Sequence, residues 1–105
     1  MIMRYLLMLA ASLAFAGNAL AEDGEALAKK NHCIGCHGID KRNVGPAFKE
    51  VAARYRGNES AQAMLEIKVR NGGGGAWGKL PMPPTRKWAS EEDIKSIVQW
   101  VLSLK

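Results

Sequence analysis

Apolar residues between positions 22 and 105 recur at intervals of three and four, which is the spacing of side chains on one face of an α-helix. Four helices are predicted from this pattern: about 23–31, the segment "GPAFKEVAARYRG", about 60–71, and the chain from Ser90 onward. Apolar and polar residues nowhere alternate for more than a few positions, so no strands are predicted. The pattern therefore favours a small all-α domain.

Start and stop signals support these helices. Pro46 suits the first helical position of the second helix, Gly57 and Gly72 suit stops, and Ser90 with Asp93 predicts an N-terminal cap pair on the last helix. The first helix is short and carries Ala26 and Leu27. The expected apolar stripes of the other three are Phe48, Val51, Ala52 and Tyr55; Ala61, Leu65 and Val69; and Ile94, Ile97, Val98, Val101 and Leu104.

The segment "GGGGAWGKLPMPPTRKW" separates the third helix from the fourth. Its glycines and prolines prevent regular structure. So long a loop is unusual in a small domain unless something organises it.

The first 21 residues have the pattern of a secretory signal peptide. Arg4 precedes a short apolar run at residues 5–15, and Ala19-Leu20-Ala21 is a small-residue cleavage site. The run is too short to span a bilayer comfortably, so removal is favoured over stable membrane insertion. The prediction is a cleaved segment 1–21 and one domain at 22–105, exported by a bacterium to the oxidising periplasm.

The charge favours acidic partners and argues against nucleic acid. The full chain has 15 Lys and Arg against 10 Asp and Glu, and loss of Arg4 with the signal peptide changes the net charge from +5 to +4. The cations are scattered and no aromatic residues are interleaved with them, unlike a nucleic-acid-binding surface.

A domain this small also buries little apolar surface, so an internal crosslink or bound group would add stability.

Both cysteines of the chain lie in "NHCIGCHGID", as Cys33 and Cys36, with His37 directly after them. C-x-x-C-H is the attachment pattern of haem c. The spacing suits two thiols that add to the two vinyl groups of one porphyrin edge, while the following histidine reaches the iron from one face. A covalently held haem would also give the small domain a large apolar body to pack around.

Three other interpretations of this motif remain open from the residues alone. A disulfide between Cys33 and Cys36 would leave His37 unexplained and would stabilise little across so short a loop. A thioredoxin-like couple would need a βαβ context. A structural zinc site would need a second, separated pair of ligands, whereas all candidates here lie within six residues.

The sixth iron ligand decides whether such a haem reacts or carries electrons. The candidates after signal removal are Met64, Met82 and His32. His32 adjoins the attachment side, and Met64 lies within a predicted helix, where methionine is usually a packing residue. Met82 lies in "LPMPP", where prolines make the chain stiff enough to hold a thioether against a metal.

Taken together, "CIGCH", "VGPAFKEVAARY", "NGGGGAWG", "LPMPP" and "VQWVLSLK" resemble a small bacterial class I cytochrome c of the c-551/c-552 type. The resemblance covers essentially all of residues 22–105. It implies the cytochrome c fold, with about four short helices around one covalently attached haem c and the N- and C-terminal helices in contact. It also implies thioethers at Cys33 and Cys36, His37 as proximal ligand and Met82 as distal ligand.

Further site residues are implied by the resemblance. The carbonyl of Pro46 would accept a hydrogen bond from the proximal histidine, and the indole N–H of Trp77 would point to a haem propionate with Lys68 nearby. The chain departs from the family at Thr85, where an asparagine commonly donates toward the methionine sulfur. The segment "TRKWASEED" is a residue or two longer than usual, and its Trp88 has no assigned role.

The resulting hypothesis is a monomeric periplasmic carrier of single electrons, not an enzyme. Its redox partners would have acidic docking surfaces; a terminal oxidase, nitrite reductase or peroxidase would be possible acceptors, and a cytochrome bc complex a possible donor. A haem enzyme or gas sensor with a dissociable methionine is the alternative. The residues expected to steer partners to the haem edge are Lys30, Lys41, Arg42, Lys79 and Arg86.

Overall fold

The computed structural model of the protein describes residues 19–105, with side chains from residue 24 onward. The predicted signal peptide lies outside the described residues except for 19–21, which begin the first helix. The described chain contains no β-strand, only one isolated bridge, and its helices match the predicted all-α class. The helices are α1 (Ala19–Lys30), a single 3₁₀ turn (Cys33–Gly35), α2 (Phe48–Arg54), α3 (Ala61–Asn71) and α4 (Glu91–Ser103).

The first and last helices are in contact, as the sequence resemblance implied, and α4 also contacts α2 and α3. Gly24 makes the close approach of α1 to α4 possible. A Cβ atom at this position would overlap Cβ of Trp100 and would lie 3.0 Å from the carbonyl oxygen of Ser96. Trp100 in turn meets Phe48 of α2 edge-on, with 5.4 Å between ring centroids. The tryptophan therefore has the helix-packing environment expected of a core residue.

The core forms along one face of α4. Four residues of its predicted stripe, Ile94, Ile97, Val98 and Val101, are buried, whereas the fifth, Leu104, is half-buried directly after the helix ends. The buried side chains form two clusters, one of Ala28, Phe48, Val51, Ile97 and Val101 and the other of Ala89, Ile94 and Val98. Burial of each large aliphatic side chain stabilises the fold by about 1.5–3 kcal/mol.

The predicted start of the second helix at Pro46 is wrong, because α2 begins at Phe48. Ala47 is the N-terminal cap residue, with extended backbone at φ −62° and ψ 145°. The N–H groups of Phe48 and Lys49 donate to the carbonyl oxygens of Gly38 and Ile39, at 2.8 and 3.1 Å. These bonds to the segment after the cysteine motif satisfy the helix terminus and leave Pro46 outside it.

The caps of α3 and α4 agree with the prediction in part. Gly72 ends α3 at φ +71°, where glycine is favoured over other residues. The Ser90 hydroxyl accepts a hydrogen bond from the Asp93 N–H at 3.1 Å. The Asp93 carboxylate, however, accepts from the side chain of Asn31 at 3.2 Å. Only one of the two hydrogen bonds of the cap pair is therefore formed, because the Asp93 carboxylate binds Asn31 at the end of α1.

No helix within residues 19–105 has both the length and the apolar character needed to cross a membrane.

Candidate functional site

A cavity of about 320 Å³ lies between α4, the end of α3, the long loop and the cysteine motif. Its wall is mostly apolar and includes core side chains such as Val51, Ile97 and Val101. All seven residues predicted to hold the haem line this one cavity: Cys33, Cys36, His37, Pro46, Lys68, Trp77 and Met82. The fold therefore brings together groups that are up to 49 positions apart in the sequence.

Three neighbours fix the imidazole ring of His37. Its Nδ1 lies 2.7 Å from the carbonyl oxygen of Pro46. Because a carbonyl can only accept, Nδ1 carries the proton and donates, and Nε2 keeps its lone pair for a metal. The Phe48 ring stacks on the imidazole at 5.0 Å and 17°, and a Cβ at Gly45 would lie only 2.6 Å from Cε1.

The two cysteines present separate sulfur atoms to the cavity, since no disulfide joins them. The 3₁₀ turn brings the His37 N–H to 3.0 Å from the Cys33 carbonyl oxygen, so cysteines and histidine lie on one tight turn. Burial raises the pKa of the Cys33 thiol above its ordinary value; a backbone hydrogen bond opposes this and the charge of Cys36 adds to it. Cys33 is therefore a neutral thiol at pH 7 before attachment.

Met82 is held by its backbone. Its N–H donates to the carbonyl of Gly73 at 2.8 Å, and its carbonyl accepts from the Gly73 N–H at 2.9 Å. A Cβ at Gly72 would lie 2.5 Å from the Met82 carbonyl oxygen and 2.7 Å from the nitrogen of Pro84. Glycine at position 72 thus allows the methionine segment to lie directly against the end of α3.

Thr85 does not take the place of the family's asparagine. The residue is only 5% exposed, and its hydroxyl donates to the carbonyl of Val69 at 2.8 Å. The same carbonyl lies 3.3 Å from the Thr85 N–H. The hydroxyl proton is therefore directed to α3 and not to the Met82 sulfur, and Thr85 anchors the loop.

Arg54 is a residue of this site that the sequence analysis missed. Its guanidinium lies 4.5 Å from the centroid of the Trp77 ring and donates to the carbonyl of Ala76 at 2.6 Å. Lys68 binds the same loop from α3, with Nζ 3.5 Å from the carbonyl of Gly74. Two cations thus hold the glycine-rich loop beside Trp77. No sequence signal distinguishes Arg54 from other polar residues of α2.

The two ligand candidates set aside at the sequence level do not line the cavity. His32 is exposed, and its backbone is left-handed at φ +67°. It lies two residues after the end of α1. Met64 is 43% exposed on α3 and borders a separate surface depression with Tyr55 and Ile67. Among residues 24–105, whose side chains the structure describes, no group of three or more His, Cys, Asp or Glu is placed to hold a metal ion.

The cavity fits a haem c. The donor set combines two sulfurs on one turn, an imidazole nitrogen held in the metal-binding tautomer and a thioether from a stiff loop. Gly45 leaves space for the imidazole, and the apolar wall suits a porphyrin. Three cationic residues that line the cavity, Arg42, Lys68 and Lys79, suit a group that carries carboxylates.

Comparison with known proteins agrees with this chemistry. The family model described as Cytochrome c matches residues 21–105. Cytochrome c-551 of Stutzerimonas stutzeri is 51% identical over 87 residues, which cover 83% of this chain and 82% of the relative. Cytochrome c-552 of Nitrosomonas europaea is 43% identical over 96 residues, covering 87% and 92%. The crystal structure of wild-type Nitrosomonas europaea cytochrome c552 covers 77% of this chain and 99% of its own, with a TM-score of 0.74 and 43% identity.

The chain belongs to the cytochrome c family. It has the cytochrome c fold and the similarity to c-551 and c-552 cytochromes that the sequence motifs implied. It therefore binds one covalently attached haem c and is an electron carrier that acts with redox partners.

Proposed function

We propose that the protein is a periplasmic carrier of single electrons whose haem iron is ligated by His37 and Met82. Bound haem c supplies a reversible one-electron couple, and a thioether ligand favours the ferrous state. The observation that carries the proposal is the meeting of His37 and Met82 at one cavity with both cysteines, although 45 residues separate them in the sequence. If His37 and Met82 both held the iron, the site would be suited to electron transfer and not to catalysis.

Each residue of the site has a role in this proposal. Cys33 and Cys36 would form the thioethers, and Pro46 holds the His37 ring through its carbonyl. The hydrogen-bonded pair with Gly73 holds the Met82 backbone, which limits rearrangement between oxidation states.

Two further side chains of the site, Trp77 and Lys68, would bind the carboxylates of the haem. Both residues line the cavity, where they would offer an indole N–H and a positive charge. Arg54 supports Trp77, since it covers the ring and binds the carbonyl of the adjoining Ala76.

The proposed periplasmic location rests on the signal pattern around Arg4 and residues 19–21. Cleavage after Ala21 would shorten α1 by only three residues. Gly24, where α1 crosses α4, would remain in the mature protein. The mature protein is proposed to be a monomer.

The proposed partners are redox proteins with acidic docking surfaces. Arg42 and Lys79 line the cavity, beside the exposed apolar side chains of Val44 and Leu80. Arg42 is paired with Glu50 at 3.2 Å, whereas Lys79 makes no ion pair with any side chain of residues 24–105. Lys79 is therefore the strongest candidate of the five predicted steering residues.

The ligand assignment is tested by optical spectra of the oxidised and reduced protein with Met82→Ala. We expect the methionine-type six-coordinate spectrum to be lost, because the thioether would be removed from the iron. Met64→Ala is the control, since Met64 lies outside the cavity and its loss should leave the spectrum unchanged.

Retention of a methionine-type spectrum in Met82→Ala would contradict the assignment. Wild-type ferrous protein that avidly binds carbon monoxide at neutral pH would instead favour a haem enzyme or gas sensor, because the distal position would then be accessible.

A further inference from the structure

We propose that Trp88 is a positioning residue that straps the Met82 loop to the end of α1 and thereby limits dissociation of the methionine from the iron. The inference rests on the proposed ligation by Met82. It concerns a segment that is longer in this chain than the resemblance would predict and a side chain to which the sequence assigned no role.

The strap is one hydrogen bond between distant parts of the chain. The indole N–H of Trp88 donates to the main-chain carbonyl of Asn31 at 3.1 Å, across 57 positions of sequence. The last carbonyls of a helix lack partners within the helix, and the left-handed His32 ends α1 directly after Asn31. Trp88 thus satisfies a helix-terminal carbonyl that also lies 3.9 Å from the sulfur of Cys33.

Asn31 is a rigid anchor for this bond. The residue is 5% exposed, and its side-chain amide donates to the Leu27 carbonyl at 2.9 Å and to the Asp93 carboxylate at 3.2 Å. These contacts fix Asn31 to α1 and α4 together. A group bonded to its carbonyl is consequently held relative to the cysteine motif.

The other end of the strap is connected stiffly to Met82. The main-chain N–H of Trp88 donates to the Thr85 carbonyl at 3.0 Å, which forms a turn, and Thr85 is itself bound to Val69. Only Pro83 and Pro84 separate Thr85 from Met82, and their fixed φ angles leave little freedom. Release of Trp88 would therefore loosen the C-terminal attachment of the methionine segment.

The indole is 47% exposed, so Trp88 is not an ordinary core side chain. The indole contributes to the fold through the partly buried hydrogen bond of its N–H group to Asn31. Replacement by phenylalanine removes that donor and keeps a smaller aromatic ring at the position.

The test compares imidazole binding to the ferric holoprotein in wild type and Trp88→Phe. Added imidazole can bind only after the distal ligand leaves, so its apparent affinity reports how readily Met82 dissociates. We expect Trp88→Phe to raise this affinity about 2- to 10-fold, the factor that corresponds to the net contribution of one hydrogen bond.

The matched control is Leu104→Ala. Leu104 packs against the core at the C-terminal end of α4, whereas Asn31 contacts Asp93 at the N-terminal end. Truncation of Leu104 should therefore lower the global stability without changing the hydrogen bond of Trp88. We expect its imidazole affinity to stay within about 2-fold of wild type, less than the change expected from loss of the strap. An unchanged affinity in Trp88→Phe, or an equal rise in Leu104→Ala at the same loss of stability, would overturn the strap.

Met82→Ala separates this inference from the proposed function. A large rise in imidazole affinity in Met82→Ala without any rise in Trp88→Phe would overturn the strap alone. No rise in Met82→Ala would show that Met82 is not the ligand, and the proposed function would fail together with the inference that depends on it.

Discussion

At the scale of single residues, the imidazole of His37 shows how closely the site is built around its ligands. The Pro46 carbonyl accepts a hydrogen bond from its Nδ1, Phe48 stacks on its face and Gly45 leaves the space that its edge occupies. The role of Gly45 is steric, because any Cβ there would lie within 3.1 Å of three ring atoms.

Gly45→Ala should therefore displace the imidazole. We expect the free energy of unfolding of the holoprotein to fall by about 1–3 kcal/mol, as for other overpacked sites. Denaturant titration measures this change. Gly35→Ala, in the 3₁₀ turn ten residues earlier, is the control because its Cβ would meet no atom within 4 Å. Equal losses in the two variants would refute the steric role of Gly45.

Residues with distinctive side-chain chemistry could be predicted from the sequence, whereas side chains that donate hydrogen bonds to distant main-chain carbonyls could not. Cys33, Cys36 and His37 form a distinctive motif, and Met82 is marked by its prolines. Arg54 and Trp88 bind the carbonyls of Ala76 and Asn31. Every residue has a carbonyl, so nothing in the sequence indicates which one a distant side chain will reach.

At the scale of helices, the contact of α1 with α4 depends on the absence of a side chain at Gly24. Helix propensity and packing make opposite predictions here. Alanine in place of a helical glycine stabilises an isolated helix by about 1 kcal/mol, whereas overlap with Trp100 would force the helices apart.

We expect packing to prevail, so that Gly24→Ala lowers the free energy of unfolding by about 1–3 kcal/mol. Thermal and denaturant unfolding measure the change. Ala26→Ser on the exposed part of α1 should alter it by less than about 0.5 kcal/mol. A Gly24→Ala protein more stable than wild type would show that α1 does not depend on this close approach.

The helices themselves were predictable because each has an apolar stripe. Their ends could be predicted only where a residue of the helix itself determines them. Ser90 and Gly72 act locally and were predicted correctly. The start of α2 was not, since its first N–H groups bond to Gly38 and Ile39. Those partners belong to a segment that the sequence pattern left without structure.

At the scale of the whole molecule, positive charge at the cavity should increase the rate of encounter with anionic redox partners. The relevant residue is Lys79, which lines the cavity. Ferricyanide is a suitable anionic probe, because its reduction by the ferrous protein can be followed optically at several salt concentrations.

Lys79→Glu should lower this rate about 2- to 5-fold at low salt and weaken its dependence on ionic strength. Lys95→Glu makes the same change of charge on α4 away from the cavity lining and should have a smaller effect. Equal effects of the two variants would assign the steering to net charge alone, and no salt dependence in any variant would remove the steering idea.

The hydrogen-bonded pair of Gly73 and Met82 also has a consequence for chain length. It closes residues 74–81 into a separate ring whose two ends are already fixed to each other. The entropic cost of lengthening such a ring rises only slowly with the number of residues. Insertions between Lys79 and Pro81, which leave Trp77 and the loop contacts of Arg54 and Lys68 unchanged, should therefore leave the methionine backbone in place.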